Sequence, residues 1–172
     1  MTRRIAFVTG GAGFIGSNIV AKLTEDPSLD VVVCDWLQEA ELGKWRNIAK
    51  HPIGDFVAPE DMFDWLEKRW RDIEIVVHMG AISSTTEPDA DKIIHANFTL
   101  SRDLFRWCAD RQRRFIYASS AATYGDTTDF DDKDDLASLA ALRPLNTYGW
   151  SKALFDLFAA LGNDLGQGRW SL

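Results

Sequence analysis

Three glycines spaced Gly10-x-x-Gly13-x-x-Gly16 stand between an apolar tetrapeptide, Ile5-Ala6-Phe7-Val8, and a helical run from about Phe14 to Leu23. This order constrains the chain more than any other feature, because it requires a strand that turns sharply into a helix. Gly10 permits the turn, Gly13 lets the backbone approach a pyrophosphate, and Gly16 allows the helix to pack close to the sheet. The helix start then offers unpaired N–H groups and a positive dipole end to phosphates. A glycine pattern alone is weak evidence; the strand before it and the helix after it make it a dinucleotide cradle.

Apolar runs alternate with helical patterns along the rest of the chain. Val31-Val32-Val33-Cys34 predicts a second strand, and a partial helix is expected around Glu41 to Ala49. A weak strand follows near Asp55-Phe56, then a helix over Pro59 to Arg69, with proline acceptable in a first turn. Ile73-Glu74-Ile75-Val76-Val77 and Arg114-Phe115-Ile116-Tyr117-Ala118 predict two more strands, flanking a long helical pattern from roughly Asp89 to Asp110. Near-continuously apolar strands alternating with helices define an α/β fold with a doubly wound parallel sheet, the Rossmann arrangement. Ligands collect at the carboxyl ends of such strands. The acidic stretch Asp126 to Asp135 lacks the glycine and ligand spacing of a metal loop and reads as a solvated loop, so no metal is expected.

Composition narrows the function classes. A net charge of -7 argues against a nucleic-acid surface, and no apolar run is long enough to cross a bilayer. Arg3-Arg4 before an apolar stretch imitates a signal peptide, but the four glycines from Gly10 to Gly16 break that stretch. Cys34 and Cys108 form no close-spaced motif and read as buried free thiols, which fits a cytoplasmic protein.

Asp35 closes the second strand 19 residues after Gly16, where a carboxylate accepts hydrogen bonds from the adenosine ribose and favours NAD. Lys44 and Arg46 lie within reach of a 2′-phosphate, so NAD and NADP both stay open. Asp55 is a candidate adenine contact. Tyr148 and Lys152 are four residues apart, which places both on one face of a helix started by Asn146 or Thr147. An ammonium beside a phenol favours phenolate, so such a tyrosine can take a proton from a carbinol. Lys152 can also hydrogen-bond the nicotinamide ribose. Ser120, just after the fifth strand, can hold the substrate oxygen. Serine hydrolase chemistry is disfavoured by the lack of a Gly-x-Ser-x-Gly elbow and of an evident serine partner for His51, His78 or His95, and His78 reads as a partly buried packing or cofactor-loop residue rather than a base.

These residues resemble the extended short-chain dehydrogenase/reductase family, within it the nucleotide-sugar epimerases. The general likeness rests on Thr9-Gly-Gly-Ala-Gly-Phe-Ile-Gly-Ser-Asn18, Asp35 and the Tyr148/Lys152 pair. The narrower one rests on Ser83-Ser-Thr-Thr-Glu87, Tyr117-Ala-Ser-Ser-Ala-Ala-Thr-Tyr-Gly125 and Leu145-Asn-Thr-Tyr-Gly-Trp-Ser-Lys-Ala-Leu-Phe-Asp156. It covers the chain to about Ala160 and implies an isomerase acting on ADP-heptose, or another nucleotide sugar, in lipopolysaccharide core assembly. A tightly held NADP, with NAD as the alternative, would oxidise the sugar carbon to a ketone and return hydride to the opposite face. By the same resemblance Tyr148 is the base, Lys152 its partner and Ser120 the oxygen-positioning group. Phe14, Ile15, Trp36, Lys44, Met79, Gly80, Ala81, Ile82, Ser83 and Asn97 are implied cofactor contacts. Ser83, Ser84, Thr85 and Ser120 are implied substrate contacts. Trp36 departs from the asparagine common in the family.

Two rivals remain. A nucleotide-sugar 4,6-dehydratase is disfavoured, because Ser120 is followed by Ala121-Ala122-Thr123 with no carboxylate. A UDP-hexose 4-epimerase shares the Ser/Tyr/Lys apparatus. A further reading is an inactive nucleotide-binding fragment: 172 residues hold one dinucleotide-binding domain, incomplete at its C-terminal end, and no substrate domain. The chain is therefore expected to bind dinucleotide without epimerising at a normal rate, and the full-length form to be a homo-oligomer. Gly166 to Leu172 reads as the approach to a sixth strand.

Overall fold

The computed structural model describes residues 4–37, 43–127, 130 and 133–164, so the expected approach to a sixth strand lies outside the described residues. The chain divides into two compact units, one of 1–80 with 110–117, the other of 81–109 with 118–172.

The first unit holds a five-stranded parallel sheet in the order β3-β2-β1-β4-β5. Its strands are β1 (Arg4–Thr9), β2 (Leu29–Cys34), β3 (Asp55–Val57), β4 (Ile73–His78) and β5 (Arg114–Tyr117). Helix α1 (Phe14–Leu23) joins β1 to β2, α2 (Trp45–Ile48) leads towards β3, and α3 (Met62–Arg69) precedes β4. Side chains of a strand point alternately to the two faces, and both faces of β1 are covered within this unit. Val8 packs with Val31, Val33 and Val77, with Val20 of α1 and with Ile48 of α2. Its neighbour Phe7 turns to the other face and meets Trp65 of α3, with ring centroids 5.4 Å apart. Burial of each such side chain contributes about 1.5–3 kcal/mol, which is why β1 is a continuous apolar run. The sheet is doubly wound, as its sequence pattern requires.

Strand order reverses between β1 and β4, and the crevice at this switch point opens at their carboxyl ends. There Thr9 Oγ1 and His78 Nδ1 lie 2.6 Å apart, and Thr9 Oγ1 accepts the Gly80 N–H at 3.0 Å. His78 is fully buried, stacked against Tyr117 and tilted against Phe115, rather than partly exposed.

The second unit is helical. It comprises α4 (Ala90–Ile93), a π-helical segment Ile94–Thr99, α5 (Leu100–Asp110, its last residue in the first unit), α6 (Leu136–Ala141) and α7 (Thr147–Asp164). Phe105 of α5 meets Phe155 and Phe158 of α7 edge-on, and Phe98 of the π segment meets Phe158 in the same way.

Three local features differ from the sequence expectation. The long helical pattern from Asp89 is broken by the π segment, where a Ser101 hydroxyl bonds to the Asn97 carbonyl. Pro59 opens a 3₁₀ turn, Pro59–Asp61, and α3 proper begins at Met62. The tail of the acidic stretch is a helix cap: Asp135 accepts the Ser138 N–H at 3.0 Å and starts α6.

Candidate functional site

The glycine turn lies wholly in the first unit. Gly10 has φ +63°, in the left-handed region that favours glycine, and a Cβ there would lie 2.7 Å from the Gly80 amide nitrogen. At Gly16 the close approach is to the turn itself rather than to the sheet at large, since a Cβ would stand 2.1 Å from the Gly10 carbonyl oxygen. Gly13 is the N-cap of α1 and brings no side chain to its first-turn amides. These amides, with the positive end of α1, suit a pyrophosphate. Phe14 and Ile15 flank them and are 86% and 59% exposed.

Two side chains fix the turn at Ala12. Asp35 Oδ2 accepts the Ala12 N–H at 2.9 Å, and Asn47 Nδ2 donates to the Ala12 carbonyl at 2.9 Å. The other Asp35 oxygen accepts the Trp36 N–H at 2.7 Å and the Lys44 ammonium at 3.3 Å. The residues expected at the ribose end, Asp35, Trp36 and Lys44, are thus assembled. Trp36 is half-exposed and donates its indole N–H to Glu60 at 2.8 Å; a backbone hydrogen bond first, and this indole second, hold the Glu60 carboxyl below its ordinary range. Asp55 Oδ1 accepts the Phe56 N–H at 2.9 Å and its Oδ2 the Trp65 indole N–H at 2.8 Å. Burial, reinforced by Asp35 and Glu60, pushes the Cys34 thiol up to about 12, which makes it inert.

Ser120, Tyr148 and Lys152, the residues expected to carry the chemistry, all lie in the second unit. Asn146 Oδ1 accepts the Gly149 N–H at 2.8 Å and caps α7, so Tyr148 sits in the first turn. Lys152, 4% exposed, donates to the Ala118 carbonyl at 3.0 Å. Ser120 follows two residues later in extended backbone, and its hydroxyl accepts the Ala122 N–H at 3.2 Å to start a 3₁₀ turn, Ala121–Thr123. Gly149 makes this proximity possible: a Cβ there would lie 2.4 Å from the Ala122 carbonyl oxygen. Burial pulls Lys152 down to about 8, against the pull of the Asp156 carboxylate. Near neutral pH it therefore remains an ammonium.

The loop from Ala81 to Ser83 is held by a residue not expected to work in this way. Asn97 is fully buried; its Oδ1 accepts the Ile82 N–H at 2.8 Å and its Nδ2 donates to the Ile82 carbonyl at 3.0 Å. The same Nδ2 donates to Ser151 Oγ at 3.0 Å, and Ser151 in turn donates to the Tyr148 carbonyl at 2.7 Å. Ser83, Ser84 and Thr85 lie exposed beyond this clamp, where Ser84 Oγ accepts the Thr86 N–H at 3.3 Å in a local turn.

Sequence reasoning missed Asn47, Ser151, Ser119 and Asp156. Asp156 was findable, because it lies one helical turn beyond Lys152 on the same face. Asn47 and Ser151 carry no pattern of their own.

Residues 6–162 match the sequence model of the family described as NAD dependent epimerase/dehydratase. An ADP-L-glycero-D-manno-heptose-6-epimerase of Nitratidesulfovibrio vulgaris (strain DP4) is 48% identical over 155 residues, covering 88% of this chain and 47% of that protein. An enzyme of the same name from Fusobacterium nucleatum is 43% identical over 155 residues, 88% of this chain and 46% of its own. The solved structure of the Helicobacter pylori ADP-L-glycero-D-manno-heptose-6-epimerase superposes with a TM-score of 0.76 at 28% identity, over 91% of this chain and 50% of that one. A UDP-N-acetylglucosamine 4-epimerase from Methanobrevibacter ruminantium M1 gives 0.74 at 27% identity, over 95% of this chain and 52% of that one. The chain spans about half the length of the curated relatives it matches. A parallel sheet wound on both faces, a glycine turn at its switch point, and a match over residues 6–162 lead to one conclusion: the chain belongs to the NAD dependent epimerase/dehydratase family.

Proposed function

We propose that the chain is the dinucleotide-binding part of an ADP-heptose 6-epimerase that uses NADP. The observation that carries the reading is Lys152, a buried ammonium four residues beyond Tyr148 on α7 and hydrogen-bonded to the strand exit that leads to Ser120. The names of the curated relatives supply the sugar.

The α1 amides and the Gly10 turn bind the pyrophosphate, and Asp35 with Lys44 takes the adenosine ribose. Lys44 is 40% exposed at its side chain and sits beside Asp35, which supplies a cation for a 2′-phosphate. The bound nicotinamide supplies a hydride acceptor and donor. Ser120 holds the reacting hydroxyl through its Oγ. Tyr148 would take the proton of the reacting hydroxyl and give it back to the same oxygen. Lys152 lies one helical turn beyond Tyr148 on α7 and ties that helix to the Ala118 carbonyl. Asn97 holds Ile82, and so the loop that presents Ser83, Ser84 and Thr85 to substrate.

Calorimetry with NADP and NAD tests the cofactor. NADP is expected to bind more tightly, and Lys44→Ala to weaken NADP by about tenfold while sparing NAD, the scale of one lost charge-assisted contact. Equal loss for both dinucleotides would overturn the 2′-phosphate assignment. Proton NMR of ADP-heptose incubated with the NADP-loaded chain tests the sugar, with slow inversion at C6 expected, below ordinary enzyme rates. Inversion of a UDP-hexose at C4 in place of ADP-heptose would favour the rival reading, which the likeness to a UDP-N-acetylglucosamine 4-epimerase supports.

A further inference from the structure

Asp156 is a carboxylate that the proposed reaction does not use. It is 4% exposed on α7, one helical turn after Lys152. Ser119 donates its hydroxyl to Asp156 Oδ2 at 2.5 Å, and Asp156 Oδ1 is buried with no hydrogen-bond partner. The two polar grips of α7 on the exit of β5 are adjacent: Lys152 holds the Ala118 carbonyl and Asp156 holds the Ser119 hydroxyl, immediately before Ser120.

We propose that Asp156, oriented by Ser119, is a positioning residue: it is the counter-charge that keeps the buried Lys152 protonated and holds the strand exit in register for Ser120. The proposal rests on the reading of Lys152 as the partner of Tyr148.

The electrostatics support it. Burial pushes Asp156 up to about 6, with the Ser119 hydrogen bond and the Lys152 charge acting the other way. Burial lowers Lys152, and Asp156 is the charge that raises it. Between about 6 and about 8 both groups are ionised, which spans neutral pH. Other charged groups on the segments packed around α7 stand further out. Asp91 and Lys92 of α4 and His95 of the π segment are exposed, as is Arg106 of α5, which lies over the Phe158 ring. Arg102 pairs with Asp103 on α5, and Asp135 caps α6. A buried ammonium stripped of a near counter-charge loses its proton more readily.

The test follows Lys152 directly in the 172-residue chain. The lysines are carbon-13 methylated, the Lys152 resonance is assigned with Lys152→Arg, and its chemical shift is titrated against pH. The midpoint is expected near 8 in the unaltered chain. In Asp156→Asn the acid constant should increase by at least about tenfold, and Asp156→Glu should restore it. Ser119→Ala, which removes the hydroxyl bonded to Asp156, should move the midpoint in the same direction by less. An unmoved Lys152 midpoint in Asp156→Asn, with circular dichroism unchanged, would overturn the proposal, since a purely structural carboxylate would leave it in place. Should Asp156→Asn fail to fold, an unmoved midpoint in Ser119→Ala overturns it equally. These readouts need no substrate. Absence of dinucleotide binding would sink the cofactor reading and leave the titration standing, whereas an unmoved midpoint would do the reverse.

Discussion

Lys152 and Asp156 are charges that the fold has withdrawn from water, and each leaves a signature in the pH dependence of stability. Lys152 has a folded midpoint of about 8 against 10.5, so the folded chain releases this proton earlier than the unfolded one. The unfolded chain then binds more protons across that window, and stability rises with pH between about 8 and 10.5. Asp156 runs the other way: with a midpoint of about 6 against 3.8, the folded chain keeps the proton longer and stability falls as pH climbs through that range. Urea midpoints measured across the alkaline window should rise for the unaltered chain and flatten for Lys152→Met; parallel curves would refute the assignment. Gly149 makes a different demand, on space. Adding a methyl 2.4 Å from the Ala122 carbonyl forces the 3₁₀ turn after Ser120 to move. Gly149→Ala should cost about 1–3 kcal/mol in chemical denaturation, and an unchanged midpoint would show that the turn yields freely. Tyr148 and Lys152 were singled out by their spacing together with Ser120 and the glycine turn, and α7 carries both. The need for glycine between them was not legible, because it depends on a carbonyl 27 residues earlier in the chain.

At the scale of elements, period and punctuation carried most of the sheet. The strands were visible as apolar runs, and α1 spans Phe14–Leu23 as its pattern indicated. What escaped was the π segment, since one widened turn changes few side-chain positions in a pattern that continues on both sides. That turn sets Asn97 among Ile82, Ser151 and Ser101, and so turns an ordinary helical asparagine into a loop clamp. Asn97→Ala leaves the Ile82 amide and carbonyl unpaired, a loss of about 1–3 kcal/mol by the usual cost of buried unsatisfied groups. Hydrogen exchange at Ile82 should accelerate well beyond exchange at the β1 amides; equal protection in both chains would remove the clamp. The position of Asp35 after β2 was legible, while its bonds to Ala12 and Lys44 depend on how the following loop returns.

For the whole molecule, β5 lies at one edge of the sheet among the described residues, and its Ile116 is 52% exposed. Exposed apolar edges template pairing with other chains. Ile116→Lys should lower the apparent mass of this chain in light scattering at high concentration; an unchanged mass would show that the edge does not self-associate. The same molecule contains seven tryptophans, whose emission overlaps in a single band. They are not equivalent. Trp70 lies under the guanidinium groups of Arg71 and Arg113, at 4.5 and 5.7 Å, remote in sequence from the glycine turn. Trp36 is half-exposed beside Asp35, its indole fixed to Glu60. Trp36 therefore places a fluorophore at the proposed ribose end of the cradle, and reduced dinucleotide should quench it by energy transfer. Trp36→Phe should remove that share of the quenching, so occupancy of the cradle becomes something to be read as light.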